Sequence, residues 1–251
     1  MKIVKYRLNG IDNYGVLDND EIFKVDGDIF ASYTVTDLKV KKDEVKLLPP
    51  VNPSKIIGMG INYYDFVKSI NMPVPETPYI FHKPVSTIIG PDDPIVLPNS
   101  TDMIGFEGEL TLVIGKKAKN IPEDKAEQYI YAYTCANDIT NKTDFARDSH
   151  MGIAKSYDTF CPIGPCMLTD PPGNNFNVRC FLNGEQKQNG FTDDMIFSIP
   201  KMVSFISTIM TLLPGDLILT GTPAGPGTLQ NGDMVEVSIE SIGVLKNPVQ
   251  L

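Results

Sequence analysis

No tryptophan, two histidines and four cysteines occur in the 251 residues, and each scarcity removes a class of function. Cys135, Cys161, Cys166 and Cys180 form no CxxC pair and have no histidine at zinc-ligand spacing, so neither a zinc site nor a disulfide framework is expected. A reducing cytoplasm fits such cysteine usage best. The opening MKIVKYRLNG turns polar too soon for a secretory signal, and no apolar run approaches the roughly 20 residues needed to cross a bilayer. Basic residues are also in deficit: 22 Lys and Arg face 31 Asp and Glu, for a formal net charge of -9. Nucleic acid and anionic membrane are repelled at long range by such a chain. An anionic substrate must therefore be drawn in by a few placed lysines or by a metal.

What is present reads as strand. Twenty glycines and twenty prolines punctuate short segments rich in Val, Ile, Thr, Tyr and Phe, the pattern of a mainly β fold with a few helices. A small β-rich N-terminal unit over residues 1–50, with a turn at Asn13 to Gly15, is followed by a charged, proline-rich connection and a larger unit over 51–251. IPEDKAEQYIYAY (121–133) reads as a helix opened by Pro122, and IPKMVSFISTIMTLLPGD (199–216) as a second, with an apolar stripe from Met202 to Leu213 and a stop at Pro214 and Gly215. VRCFLNGEQKQ reads as a hairpin turning at Asn183 and Gly184.

GFEGELTLVIG (105–115) raises a chemical question, because a strand this apolar carries Glu107 and Glu109. Alternation puts both on one face, with backbone origins about 6.6 Å apart, so the carboxylates either repel or share a cation. On spacing alone, such a pair reads as a solvated face. Asp138, in the strand-like TCANDIT, is a third candidate. Three carboxylates from two strands make an oxygen-only site suited to Mg²⁺ or Mn²⁺, or to Ca²⁺ if the cage is looser. In AKSYDTFCPIGP, Lys155 is an ion-pair partner or a proton carrier, with Asp158 three residues on. LTGTPAGPGTL supplies Thr222 and backbone amides able to hold a carboxylate.

Together with KIIGMGINYYDF, PYIFHKPVSTIIGPDDPIVLP, ANDIT, FLNGEQKQNG and LLPGDLILTGTPAGPG, these segments resemble the fumarylacetoacetate hydrolase family over the C-terminal four-fifths of the chain. The resemblance implies that family's mixed β-sandwich roll with a small N-terminal domain, and a homodimer. It implies a Mg²⁺ or Mn²⁺ site at Glu107, Glu109 and Asp138, catalytic help from Lys155, and substrate contacts from Thr222 and Lys83. It also implies a small 2-oxo or enol acid as substrate, handled through a metal-stabilised enolate. Isomerisation, decarboxylation and carbon-carbon hydrolysis all branch from that step.

Two departures bear on the reaction. Hydrolytic and decarboxylating members carry a His and a Glu on the segment after the Asn-Tyr pair, where this chain has Phe66 and Ser69, neither able to accept a proton at neutral pH. Where relatives place an arginine after the Asn-Asp pair, this chain has Lys142 and then Arg147, and lysine lacks the bidentate guanidinium fork. Neither His82 nor His150 is a strong replacement for the missing pair; alternation lets only one of His82 and Lys83 face inward. The expectation is a metal-dependent enzyme that isomerises or decarboxylates a small 2-oxo acid. Hydrolysis of an acylpyruvate and a catalytically impaired 2-oxo acid binding protein stand as the alternatives.

Overall fold

A computed structural model describes residues 1–149 and 151–251. As expected, the fold is mainly β. Among the described residues a twelve-stranded sheet forms the backbone of the molecule. Ten of its strands run from Tyr33–Lys41 through Glu21–Gly27, Ile11–Asp18 and Lys2–Leu8 to Cys161–Leu168, Ile130–Asn137 and Gly108–Ile114, then Leu217–Leu219, Ile56–Gly60 and Tyr79–Lys83, while Lys46–Leu48 pairs with Lys2–Leu8 and Ile88–Ile89 with Cys161–Leu168. The N-terminal meander thus extends the same sheet that carries the carboxylate strand. A five-stranded sheet, from Glu185–Phe191 through Asn177–Leu182, Met234–Ile239 and Gly243–Gln250 to Ile95–Val96, lies across it.

Alternation explains how one strand serves two layers. Leu110 joins Cys135, Cys180, Val235 and Val237 in the core between the two sheets, and Phe106 lies in the same core. Leu112 and Ile114, further along that face, pack on Met202, Val203 and Ile206 of the helix Ile199–Ile209. Val113, on the opposite face, packs with Ala132, Ile163 and Leu219. Glu109 and Thr111 share Val113's side and are buried there, so this face holds polar groups that need partners.

Several local expectations change. The segment after Pro122 is a 3-10 helix, Glu123–Tyr129, and Ile130 and Tyr133 belong to the next strand. Pairing of Ile130–Asn137 between two central strands outweighs the helical spacing of its aromatic and β-branched residues. The helix Ile199–Ile209 is capped by the Ser198 side chain on Lys201 N and stops well before Pro214, because Leu212 bridges to Ala118. Ile209 and Leu213 are consequently exposed rather than part of the buried stripe. The first turn falls at Asn9 and Gly10, with φ 51° and 80°, while Asn13 and Gly15 lie inside a strand. The Asn183-Gly184 hairpin is present as read, with φ 53° and 80°. The carboxylate strand starts at Gly108, leaving Glu107 just ahead of it. No helix among the described residues is long and apolar enough to cross a membrane.

Candidate metal centre and active site

Register brings the acids together. Gly108 pairs with Asn137 and Glu109 with Ala136, so Glu107 falls opposite Asp138. The Asp138 amide donates to the Glu107 carbonyl at 2.8 Å, and the Glu107 amide donates to Asn137 Oδ1 at 3.0 Å. One oxygen from each of Glu107, Glu109 and Asp138 lies within 4.8 Å of the others. The two glutamates share a face by alternation, and the third acid is delivered across the ladder.

Two lysines lean on this cluster. Lys155 follows the short helix Met151–Ala154, and its Nζ reaches Glu107 Oε2 and Asp138 Oδ2, each at 2.6 Å. It also lies 5.0 Å from the centre of the Phe81 ring. Lys83 ends the edge strand Tyr79–Lys83 and is wholly buried, with Nζ 2.6 Å from Asp138 Oδ1 and donating to the Ile139 carbonyl at 3.2 Å. The contact with Oδ1 joins Lys83 to Asp138 as a fully buried ion pair. Alternation allowed only one of the pair to face inward, and that one is Lys83, with His82 exposed.

Three carboxylates against two ammonium groups leave an uncompensated negative charge, and the protonation preferences follow. Burial, and then Asp138, pushes the Glu109 carboxyl well above its usual range, with only Lys155 and the Gly221 amide opposing. Asp138 is held below its usual range: burial works against its charge, but Lys155 and Lys83 outweigh it. Lys155 is held above the ordinary ammonium range in spite of its burial, by Asp138 and Glu107. A divalent cation would offset the repulsion from Asp138 and Glu107 that helps raise the Glu109 carboxyl. Hard oxygen donors, their spacing and the surplus negative charge all fit such an ion, so this cluster can hold a divalent metal.

The remaining wall comes from loops. Gly221, at φ 94°, aims its amide at Glu109 Oε2, 2.7 Å away; a Cβ there would meet Asn62 Cβ at 2.8 Å. Thr222 Oγ1 donates to the Gly108 carbonyl at 2.9 Å and accepts from Gln188 Nε2 at 2.7 Å. Phe66, Met59, Ile61, Phe81 and Met151 give the cavity an apolar side, facing Glu107, Glu109, Asp138, Lys155 and Thr222. Its volume of ≈60 Å³ restricts it to small ligands. Larger hollows exist, including one of ≈420 Å³ beside Asn99 and Asn231, but it lacks a comparable set of acids and lysines.

Most residues singled out in the sequence meet here. Lys83 reaches the cluster from below and does not line the cavity. Ser69 donates its hydroxyl to the Phe66 carbonyl within its own helix and is exposed. Lys142 begins the helix Lys142–Asp148 and donates to the Gly227 carbonyl at 3.1 Å; burial lowers its ammonium pKa, against the pull of Glu107. Arg147 is exposed and pairs with Asp144 at 2.8 Å, and Asp158 is exposed. His150 lies outside the described residues. Sequence reasoning missed Asn62 and Gln188, both buried. Asn62 fastens the Thr220 and Phe197 backbones, donating to the Thr220 carbonyl at 2.8 Å and accepting from the Phe197 amide at 2.8 Å. Asn62, between Ile61 and Tyr63, gave a weak signal as a polar side chain among apolar neighbours; Gln188, between Lys187 and Asn189, gave none.

Residues 55–250 match the family described as fumarylacetoacetate (FAA) hydrolase C-terminal, and residues 1–50 match one described as Rv2993c-like, N-terminal. The chain belongs to the fumarylacetoacetate hydrolase family. It is 40% identical over 230 residues to the mitochondrial oxaloacetate tautomerase fahd2 of Xenopus laevis, covering 84% of this chain and 70% of that protein. Among solved structures, a 5-carboxymethyl-2-hydroxymuconate delta-isomerase from Mycobacterium smegmatis superimposes with a TM-score of 0.93 at 36% identity, covering 100% of this chain and 99% of that one. A 2-hydroxyhepta-2,4-diene-1,7-dioate isomerase from Mycobacterium marinum gives 0.92 at 36% identity, covering 100% and 98%. The family's β-sandwich roll is therefore the fold of this chain.

Proposed function

We propose that this family member is a divalent-metal-dependent enzyme that moves a proton on a small 2-oxo acid, by keto-enol tautomerisation or a double-bond shift. The observation that carries the reading is the joint placement of Lys155 on the carboxylate cluster and Phe66 on the cavity wall, with the Ser69 hydroxyl turned into its own helix. Among the described residues lining that wall, Lys155 can carry a proton to the substrate, and Phe66 offers no base for activating water. Names borne by the Xenopus and mycobacterial relatives, a tautomerase and two isomerases, support the same class.

Glu107, Glu109 and Asp138 would hold a Mg²⁺ or Mn²⁺ ion, which when bound supplies a Lewis acid for the negative charge that grows on the 2-oxo oxygen. Lys155, sole basic side chain among the described residues lining the cavity, gives its proton to the carbon next to the oxo group. The enol O–H proton leaves to solvent before that transfer, and the amine then takes a proton back from solvent, so the lysine ends as it began. Thr222 meets the substrate carboxylate from the cavity wall through its backbone amide, its hydroxyl proton being held by the Gly108 carbonyl, and Lys83 acts on the site through the charge of Asp138. Phe66 and its apolar neighbours keep water from the reacting carbon. The same reading takes residues 1–50 as a separate N-terminal unit, and the enzyme as a cytoplasmic homodimer. Its four free cysteines are buried, and burial raises the Cys161 and Cys180 thiols to about 12, which suits a reducing compartment.

The test is the decay of enol oxaloacetate, followed by its ultraviolet absorbance, with purified protein and added Mg²⁺ or Mn²⁺, alongside carbon dioxide release. Metal-dependent acceleration of the keto-enol change is expected. Absence of any metal-dependent turnover, on oxaloacetate and on unsaturated 2-oxo acids alike, would overturn the reading.

A further inference from the structure

The strand Leu217–Leu219 pairs with Gly108–Ile114 only from Thr111 to Val113, so near Gly108 the ladder has lost its neighbour on that side. Gly108 is the residue between the two glutamates, and its amide and carbonyl both face the gap. Buried polar backbone groups need partners. A side chain from the other sheet serves the amide, and through Thr222 it governs the partner of the carbonyl. Gln188, buried on the hairpin strand Glu185–Phe191, accepts from the Gly108 amide through Oε1 at 2.9 Å. Its Nε2 donates to Thr222 Oγ1 at 2.7 Å and to the Pro223 carbonyl at 2.8 Å. Thr222 Oγ1 then donates to the Gly108 carbonyl at 2.9 Å.

These bonds close a ring that runs Gly108 amide, Gln188, Thr222, Gly108 carbonyl. Because Nε2 donates to it, the Thr222 hydroxyl must spend its single proton on Gly108, so the direction of the ring is fixed. Both peptide planes flanking Gly108 are pinned, and those planes aim the Cα–Cβ bonds of Glu107 and Glu109. A Cβ on Gly108 would stand 3.2 Å from Cys180 Cβ, 3.4 Å from Gln188 Oε1 and 3.4 Å from Val237 Cγ1, which shows how closely the second sheet is applied here.

We propose that Gln188 is a positioning residue, which presets the spacing of Glu107 and Glu109 for a divalent cation from the opposite sheet. The proposal rests on reading the carboxylate cluster as a metal site, and not on which 2-oxo acid is turned over. Outer partners that orient metal ligands are worth roughly 10-fold to 100-fold in affinity.

The experiment is a calorimetric titration of the full-length, metal-stripped protein with Mn²⁺, for the parent chain, Gln188→Glu, Thr222→Val and a control, Ser207→Ala. Gln188→Glu keeps the acceptor for Gly108 but loses both donors. Ser207 is buried, accepts from the Ile121 amide at 2.8 Å and belongs to the helix Ile199–Ile209, away from the cluster. A loss of roughly 10-fold or more in Mn²⁺ affinity is expected for Gln188→Glu. Thr222→Val should change affinity in the same direction, and Ser207→Ala should leave it unchanged even if its melting temperature falls as far. Parent-like affinity in Gln188→Glu, or an equal loss in the control, overturns the proposal. Should Gln188→Glu not fold, Thr222→Val decides by the same criterion. If the parent binds Mn²⁺ and the variants do not, yet no 2-oxo acid reacts, the proposed reaction fails while this positioning role stands.

Discussion

Asp138→Asn probes the charge balance of the site directly. In the folded chain Asp138 is buried between two ammonium groups, with Lys155 and Lys83 each 2.6 Å from one of its oxygens. The substitution removes the negative charge and keeps the shape. Lys155 retains Glu107 at 2.6 Å, but Lys83 is left with the Ile139 carbonyl at 3.2 Å and no exposure to water. Breaking a buried pair by removing one partner destabilises by about 3–5 kcal/mol. For a chain of this size each kcal/mol moves the melting temperature by about 2–4 °C, so a fall of roughly 6–20 °C is expected. The assay is thermal unfolding in EDTA at neutral pH, so that metal contributes nothing. Removing the stranded charge as well, with Lys83→Met in the same chain, should restore most of the loss, because a missing pair costs far less than half of one. A single variant within about 1 kcal/mol of the parent would refute the reasoning, as would a double variant no more stable than Asp138→Asn.

Lys155→Met should lower turnover by roughly 10²-fold to 10⁴-fold, the usual worth of a general acid-base group, while Mn²⁺ affinity holds or improves because Nζ no longer occupies Glu107 Oε2 and Asp138 Oδ2; equal losses in both would place the lysine with the metal ligands instead. Since burial and Asp138 raise the Glu109 carboxyl, its proton favours the fold in acid, and that contribution fades as pH rises through the raised value. Metal must displace this proton, so affinity should climb with pH above the ordinary glutamate range, and calorimetry in buffers of differing ionisation enthalpy should register proton release; pH-independent binding without release would count against a buried, protonated Glu109. Phe66→His combined with Ser69→Glu puts a base on the wall where Phe66 now lines the cavity, and should raise acylpyruvate hydrolysis by about 10²-fold or more. Efficient hydrolysis by the parent chain would show that water is activated by another route.

The sequence was most legible where one strand carries its own instruction. Alternation alone put Glu107 and Glu109 together and kept His82 and Lys83 on opposite sides, and Asn183-Gly184 announced its hairpin. It misled where local pattern met a demand from elsewhere in the fold. IYAY has helical spacing next to a 3-10 turn, yet it pairs between two strands whose apolar faces require it. The stripe from Met202 to Leu213 runs past the real helix end because Leu212 is claimed by Ala118, a contact that periodicity cannot anticipate.

The same distinction separates the ligands from what holds them. An acid in an apolar run is conspicuous in sequence, since an unpaired buried charge is costly and some compensation must exist. Asp138 could be matched to the glutamates only through its neighbours' wording, because the register that sets Gly108 against Asn137 is a property of two strands. Gln188 and Asn62 were harder still. Each is an ordinary amide until the fold shows which backbone groups have lost their partners: the Gly108 peptides at the end of a ladder, and the Thr220 and Phe197 backbones beside the cavity. Their role is set by a deficit in the main chain, and that deficit exists only once the sheets have come together. A metal site of this kind is therefore half readable: its charges are written in the strands, and its precision lies in the gaps between them.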